Sequence, residues 1–503
     1  MDNDDRDERD LNGKRVGTRI APIAAAGILL SALGLATANA ADLSGDCCAD
    51  LEERVAELEA TAVRKGNRKV ALALTGIVSE MILFWDDGVN NDVYVVEDPG
   101  PDYSFRLIGS ATIRPGLSAG SLIEVEALTA SGSSVDARID GADNENRDGL
   151  ITATRVSFNL RHDRLGKLTV GRDRTANDDI LRSNLAQNPI ASSTPDLAGS
   201  FQLVSPPGAA GCNGAACRTS LDWSVIAPDL DTNYADLVRY DTPSLYGLVI
   251  SAAWGEDDVS GLTIRYKKQW NSVRFIGGVG YQWFTDETEE SIDYDEAVPV
   301  LSIDTIDCPD DLKQATCVAE RVDQETLNAS GSIMHDPSGL YLTAAVARRS
   351  FGKSNGISEL RATVFTAPVT GLEPRPADMW YLQSGVKRRW LLPSIGATTL
   401  YGEYQRFNDF GVRESAESLG LSQEDDNGND VLISEVTGTR ADIWGLGVVQ
   451  DIDAAAMKLY AGLRVWSPDV RAVQTDDRFN VTFDGKVPLE DFYTVAAGGQ
   501  INF

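Results

Sequence analysis

Residues 151–173 read ITATRVSFNLRHDRLGKLTVGRD. Side chains of an extended chain point alternately to two faces. Val156, Phe158 and Leu160 therefore share one face, and Arg155, Ser157, Asn159 and Arg161 share the other. Asp163-Arg164-Leu165-Gly166 is turn chemistry, and a second alternating segment follows over 166–173. The stretch reads as an antiparallel hairpin with one apolar and one polar face. In a soluble sheet the apolar face would be core. In a membrane β-barrel it meets lipid, and the polar face lines water.

The same pattern repeats on both sides of this hairpin. Sixteen alternating segments of about ten residues run from residue 70 to Phe503. Over 103–114, Phe105, Leu107, Ala111 and Ile113 oppose Arg106, Ser110, Thr112 and Arg114. Over 455–466, Leu459, Ala461, Leu463 and Val465 oppose Lys458, Tyr460 and Arg464. Glu80 breaks the rule by standing on the apolar parity of the first segment, which marks a bulge or a subunit contact. Connections alternate between short turns and long ones near 86–102, 131–150, 174–234, 287–324, 353–378, 410–438 and 467–487. The link at 256–260 is short where a long one is due. Short inner turns and long outer loops are the habit of outer-membrane barrels, and a sandwich or propeller has no reason for them. The last segment carries Tyr493, Val495, Ala497, Ile501 and Phe503 at period two and ends the chain on an aromatic ring.

The N-terminal text agrees with export. An apolar run at 20–35 follows Lys14, Arg15 and Arg19, and Ala38-Asn39-Ala40 offers a cleavage site, so 1–40 reads as a signal peptide. Residues 41–69 form a periplasmic segment. Within it Leu51, Val55, Leu58 and Ala62 make a heptad seam over 50–65, suited to pairing between subunits or to lying on the same chain. The barrel then occupies 70–503.

Composition removes other classes. With 45 Lys+Arg against 76 Asp+Glu the formal charge is −31, opposite to a nucleic-acid footprint. Mean hydropathy is −0.18 and the run near the start is the one long apolar stretch, which excludes a helical membrane bundle. Two histidines, and no H-E-x-x-H or glycine-rich phosphate loop, leave no catalytic centre, cofactor or metal to expect. Six cysteines include Cys212 with Cys217 and Cys308 with Cys317, each pair spaced to close a small loop by a disulfide.

Asp46-Cys47-Cys48-Ala49-Asp50-Leu51-Glu52-Glu53-Arg54-Val55-Ala56-Glu57-Leu58-Glu59-Ala60 resembles the N-terminal block of the alphaproteobacterial general porins. Arg64-Lys65-Gly66-Asn67-Arg68-Lys69-Val70, Phe84-Trp85-Asp86-Asp87-Gly88, Val170-Gly171-Arg172 and the terminal Phe503 are similar to that family too. The resemblance implies a sixteen-stranded trimeric porin of the cell outer membrane, set in lipid and lipopolysaccharide and passing small hydrophilic solutes by passive diffusion. A substrate-selective channel for sugar, phosphate or another anion on the same barrel is the alternative.

It also implies that the third outer loop, 174–234, bends into the lumen as a constriction. That loop carries Asp178, Asp179, Asp196, Asp222, Asp229 and Asp231. Arg106, Arg114, Arg155 and Arg161 have lumen-facing parity. Arg106 and Arg155 are the eyelet candidates, since Arg114 and Arg161 border short turns. Either these arginines oppose the acidic loop across the pore, or they pair with carboxylates of their own wall.

Overall fold

The computed structural model describes residues 70–98, 104–127, 135, 137, 151–189, 200–209, 217–231, 234–256, 259–287, 322–351, 375–412, 433–475 and 481–503. The expected signal peptide, the helix at 50–65, Cys212, Cys308, Cys317 and Asp196 lie outside these residues.

The strands are β1 (Ala71–Asp86), β2 (Asn91–Glu97), β3 (Ser104–Arg114), β4 (Leu117–Ala127), β5 (Ile151–His162), β6 (Gly166–Arg174), β7 (Gln202–Ser205), β8 (Cys217–Asp222), β9 (Tyr234–Asp241) and β10 (Leu248–Gly255). There follow β11 (Ser260–Trp270), β12 (Val273–Glu287), β13 (Val322–His335), β14 (Leu340–Phe351), β15 (Ala377–Arg388), β16 (Thr398–Asn408), β17 (Ile433–Ile452), β18 (Met457–Thr475), β19 (Val481–Val487) and β20 (Phe492–Asn502). One helical turn, α1 (Trp223–Ile226), follows β8.

Eighteen strands make one sheet, and β7 with β8 makes a small second one. β2 and β19 only extend the far ends of β1 and β18. The remaining sixteen follow one another antiparallel and close where Ile77 to Asp86 of β1 pair with Asn502 to Tyr493 of β20. Closure leaves no unpaired edge among these sixteen strands, which is what a sheet in hydrocarbon requires.

The outside of this wall is apolar and the inside polar. On β5, Phe158 is 55% exposed on the outer face while its neighbour Ser157, facing in, is 7% exposed. Aromatic residues mark both rims, as in membrane barrels. Tyr266, Trp270 and Phe275 cluster at the short-turn end, and Trp380 stacks near Tyr404 towards the other, 4.9 Å between centroids. Among the described residues no helix is long and apolar enough to cross a membrane; the strands do so.

Each of the sixteen expected segments falls on a barrel strand. The difference lies beyond the rim, where 86–102 and 467–487 carry β2, the end of β18 and β19 in place of plain loops. Tyr94, Val96, Val470, Ala472 and Val487 are buried there in a hydrophobic cluster. These strands keep alternating because they cover a core inside the barrel. Glu80 sits in unbroken register, opposite Gly499 and Glu97, and is exposed on the outer face, so no bulge excuses it.

Chain closure needs one glycine. The Gly76 amide donates to the Phe503 carbonyl (2.8 Å) and the Phe503 amide returns a bond to Gly76 (3.0 Å). The Phe503 ring occupies the space where a Cβ on Gly76 would stand.

Candidate functional site

The connection from β6 to β9 turns into the barrel. Its first part, residues 175–188, is an arm that steps down the inner wall. β13 records the descent in alternate inward residues. Asn177 abuts Asn328 at 3.3 Å, Ser330 donates to the Ile180 carbonyl, and the Leu185 amide donates to Ser332 Oγ at 3.1 Å. Further on, Asn184 and Asn188 both donate to Gln383 Oε1 on β15, at 2.9 and 3.1 Å, and Asn188 also donates to the Tyr341 hydroxyl at 2.9 Å. The lower end reaches the short-turn side. Lys387 donates to the Ala186 carbonyl (3.0 Å) and Lys458 to the Gln187 carbonyl (2.9 Å).

The upper part is held in the same way. Arg239 of β9 donates to the Arg174 carbonyl (2.8 Å), and Arg265 of β11 to the carbonyls of Ala176 and Asp178 (2.8 and 2.6 Å). Four cations from four strands thus grip main-chain oxygens. Hydrogen bonds from charged donors are the stronger kind, about 1.5–3 kcal/mol each. β12 makes room by presenting glycine inwards. A Cβ on Gly278 would stand 2.9 Å from Ile180 Cδ1, and one on Gly280 2.8 Å from both Asn177 and Asn328. The sequence reading passed over the glycines of β12 and the polar residues of β13 that seat the arm. Their signal was available as an inward Asn-Ser-Ser series at 328, 330 and 332 beside inward glycines at 278 and 280.

The second part, residues 200–209 and 217–231, packs by its rings. Trp223 of α1 lies 5.7 Å from Trp466 and 6.1 Å from Phe492, and Phe201 lies 4.8 Å from Phe492 and 5.1 Å from Trp85. The Glu490 amide donates to Val204 (2.8 Å), and Arg218 pairs with Asp87 (2.6 Å). Asp222, an expected pore residue, caps α1 by accepting from the Val225 amide. On the adjoining wall Tyr381 donates to Glu403 (2.8 Å), and Glu403 pairs with the buried Arg464 (2.8 Å). That side of the lumen is filled.

The charged residues gather on the other side. Arg106 bonds Glu124 (2.5 Å), and Arg155 bonds Glu124 (2.8 Å) and Asp173 (2.5 Å). Ser157 adds a bond to Asp173 at 2.7 Å. Arg174 at the end of β6 holds Asp178 (3.0 Å) and Asp179, and Arg182 holds Asp229 and Asp231, each at 3.3 Å. Carboxylate oxygens of Asp178, Asp179 and Asp231 lie within 4.8 Å of one another. Burial first, and the charge of Asp179 second, push the Asp178 carboxyl up to about 7, against the pull of Arg174, Arg182 and Arg155. Asp231 is raised for the same first reason. Arg106, Arg155, Asp178, Asp179, Asp229 and Asp231 therefore form one region, with the two arginines bonded to carboxylates of their own wall. Arg114 and Arg161 are exposed near the short turns, apart from it.

A closed barrel, apolar outside and polar within, whose lumen is narrowed by its own chain, is a channel across a membrane. A family model for Gram-negative porins matches residues 72–500, and the chain belongs to that family. It is a porin of the outer membrane, and this family and fold are those of channel proteins. Among solved structures it is similar to the anion-selective porin from Comamonas acidovorans, at 14% identity and a TM-score of 0.48, covering 86% of this chain and 100% of that one. It is also similar to the outer-membrane protein OmpT of Vibrio cholerae in its trimer form, at 11% identity and a TM-score of 0.44, covering 86% and 99%. OmpF of Salmonella typhi in complex with daunomycin is a third, at 10% identity and a TM-score of 0.43, covering 86% and 98%. A search of curated proteins finds no match.

Proposed function

We propose that small hydrophilic solutes and ions cross this porin by passive diffusion through the gap beside the charged region, with residues 174–234 as the constriction. The observation that carries the reading is the arm at 175–188, which runs down the inside of the wall against β11, β13, β15 and β18. Arg106 and Arg155, with Asp178, Asp179, Asp229 and Asp231, then border the narrow part, and Arg114 and Arg161 ring the inner mouth. Asp196 belongs to the same loop. We assign 1–40 to a cleaved signal peptide, 41–69 to a periplasmic segment of alphaproteobacterial type, and Cys212–Cys217 and Cys308–Cys317 to loop disulfides.

The active form in this reading is a homotrimer embedded in lipid and lipopolysaccharide. Glu80 supports it: a carboxylate on the lipid-facing parity is unfavourable in hydrocarbon and acceptable against another subunit. Planar-bilayer recording tests both parts. Ohmic steps in groups of three, without saturation by sugar or phosphate, are expected. Saturation would favour a selective channel, and single steps together with monomer-only cross-linking would overturn the trimer.

A further inference from the structure

We propose that the outer face of the wall over β14–β19 is a docking site for the two phosphates of an outer-leaflet glycolipid, the lipid A part of lipopolysaccharide. The inference rests on, and deepens, the reading that this barrel sits among lipopolysaccharide. It concerns side chains on the lipid-facing parity, away from the lumen.

One register row crosses five strands there. Arg348 lies opposite Asp378, Asp378 opposite Asn408, Asn408 opposite Arg440, and Arg440 opposite Asp469. Every member is charged or carries an amide. Four residues nearer the short turns, the same strands hold the row Ala344, Leu382, Tyr404, Trp444 and Val465. An apolar row with two aromatic rings, followed by a charged row, marks the edge of the hydrocarbon and the start of the headgroups. This is the long-loop end of the barrel, so the headgroups are those of the outer leaflet.

The carboxylates of this belt hold its cations without hiding them. Arg406 pairs with Asp442 (2.6 Å), Arg440 with Asp442 (3.2 Å) and Asp469 (3.1 Å), and Lys486 with Asp469 (3.2 Å). The side chains of Arg406, Arg440 and Lys486 are 34, 46 and 57% exposed, against 22 and 21% for Asp442 and Asp469. The positive heads therefore stand outermost. Arg406 is fixed further by lying over the rings of Trp380 and Tyr404, 6.0 and 5.8 Å from their centroids. Arg471 stands opposite Lys486 on the same face, is exposed, and forms no ion pair among the described residues. Like charges directly opposite one another are unfavourable, and an anion between them removes the cost. Asp484, exposed on β19, is the third acid beside these four cations, and Arg348 with Asp378 (3.8 Å) balances itself. One positive charge is left over. Exposed ion pairs add little stability, so stability does not account for the belt.

The cations fall into two couples. Arg406 and Arg440 share Asp442, and Arg471 and Lys486 face each other across β18 and β19. A headgroup with two phosphates engages both couples, whereas a phospholipid with one phosphate engages one. That difference selects lipid A as the occupant.

The test is native mass spectrometry of the whole folded chain in detergent, titrated with bisphosphorylated lipid A, with lipid A stripped of both phosphates, and with phosphatidylglycerol. Bisphosphorylated lipid A should be held about tenfold more tightly than either of the others. R471Q, which breaks no ion pair, should weaken its retention about fivefold, and R440Q/K486Q about 25-fold. R440K/K486R should bind as the wild type does. Equal retention of stripped lipid A or of phosphatidylglycerol would overturn the inference, as would R471Q and R440Q/K486Q binding like the wild type. Loss of the oligomer in R440Q/K486Q with lipid A still held would assign the belt to a subunit contact and overturn it too. Planar-bilayer conductance separates this result from the permeation reading. It should be unchanged in all three variants, since the belt lies outside the lumen, and a wild-type chain that binds lipid A without passing current would sink the permeation reading alone.

Discussion

The two parts of the β6–β9 connection enter the same lumen and are held by different physics. Residues 175–188 are fixed by directional bonds, donated by Arg265, Lys387 and Lys458 and accepted by Ser332 and Gln383, each at a particular atom. Residues 200–209 and 217–231 are fixed by burial of Phe201 and Trp223 against Trp85, Trp466 and Phe492. Ring packing fills volume and tolerates small shifts, whereas a hydrogen bond fails over about half an ångström. The difference teaches where position matters. The aromatic part closes off one side of the lumen and needs only to stay there. In the proposed reading the arm borders the pore, so its height and depth set the aperture.

The largest effect should come from the aromatic part. Trp223→Ala removes a ring that is 2% exposed and should lower barrel stability by about 3–5 kcal/mol. The midpoint of heat or urea unfolding would register it. Conductance should rise in the same variant, because the filled side loosens. A destabilised barrel with unchanged conductance would show that this part is only a fold element.

Next comes a variant that separates the arm from its wall. Gly278→Val places atoms where Ile180 lies, an overpacking worth about 1–3 kcal/mol. Here the current should change more than the melting point does, the reverse of the Trp223 variant. If both variants alter stability and conductance in the same proportion, the proposed division of labour is wrong. Gln383→Leu should act more mildly. It deprives Asn184, Asn188 and the Tyr341 hydroxyl of a common acceptor, a loss of about 1–3 kcal/mol. Greater open-channel noise, with wild-type ion preference, is the expected recording.

The barrel was legible because the membrane makes its strands report on themselves. Lipid on one side and water on the other force period two on every crossing segment, and Phe105, Phe158 and Leu459 fell on the expected face. The arm was not legible in that way. It has no periodicity, and its partners are scattered over β9, β11, β13, β15 and β18. Arg106 and Arg155 were visible as lumen-facing, but their partners Glu124 and Asp173 were not, since β3 meets β4 and β5 meets β6 in registers that parity alone does not set. Asp222 looked like its fellow aspartates until α1 claimed it as a cap.

The smallest expected effect lies at the seam between the two parts, where Asp178 of the arm and Asp231 of the returning chain come within 4.8 Å. Burial holds the Asp178 carboxyl at about 7, far above the ordinary carboxylate value of 3.8. In the unfolded chain that group loses its proton near pH 4. Between there and 7 the folded protein keeps a proton that the unfolded one has released. Its contribution to stability is therefore present in acid, declines as pH rises through that window, and levels off above it. The permeation signal has a definite sign too. Raising the pH from 5.5 to 8 adds negative charge at the seam, so the preference for cations should increase with a midpoint near 7. Reversal potentials across a KCl gradient would follow it. Asp178→Asn should remove that titration while leaving the arm on its wall, because the Arg265 bond is to the Asp178 carbonyl and not to its carboxylate. A variant that still titrates near 7 would move the midpoint to another group and detach the seam from ion selectivity.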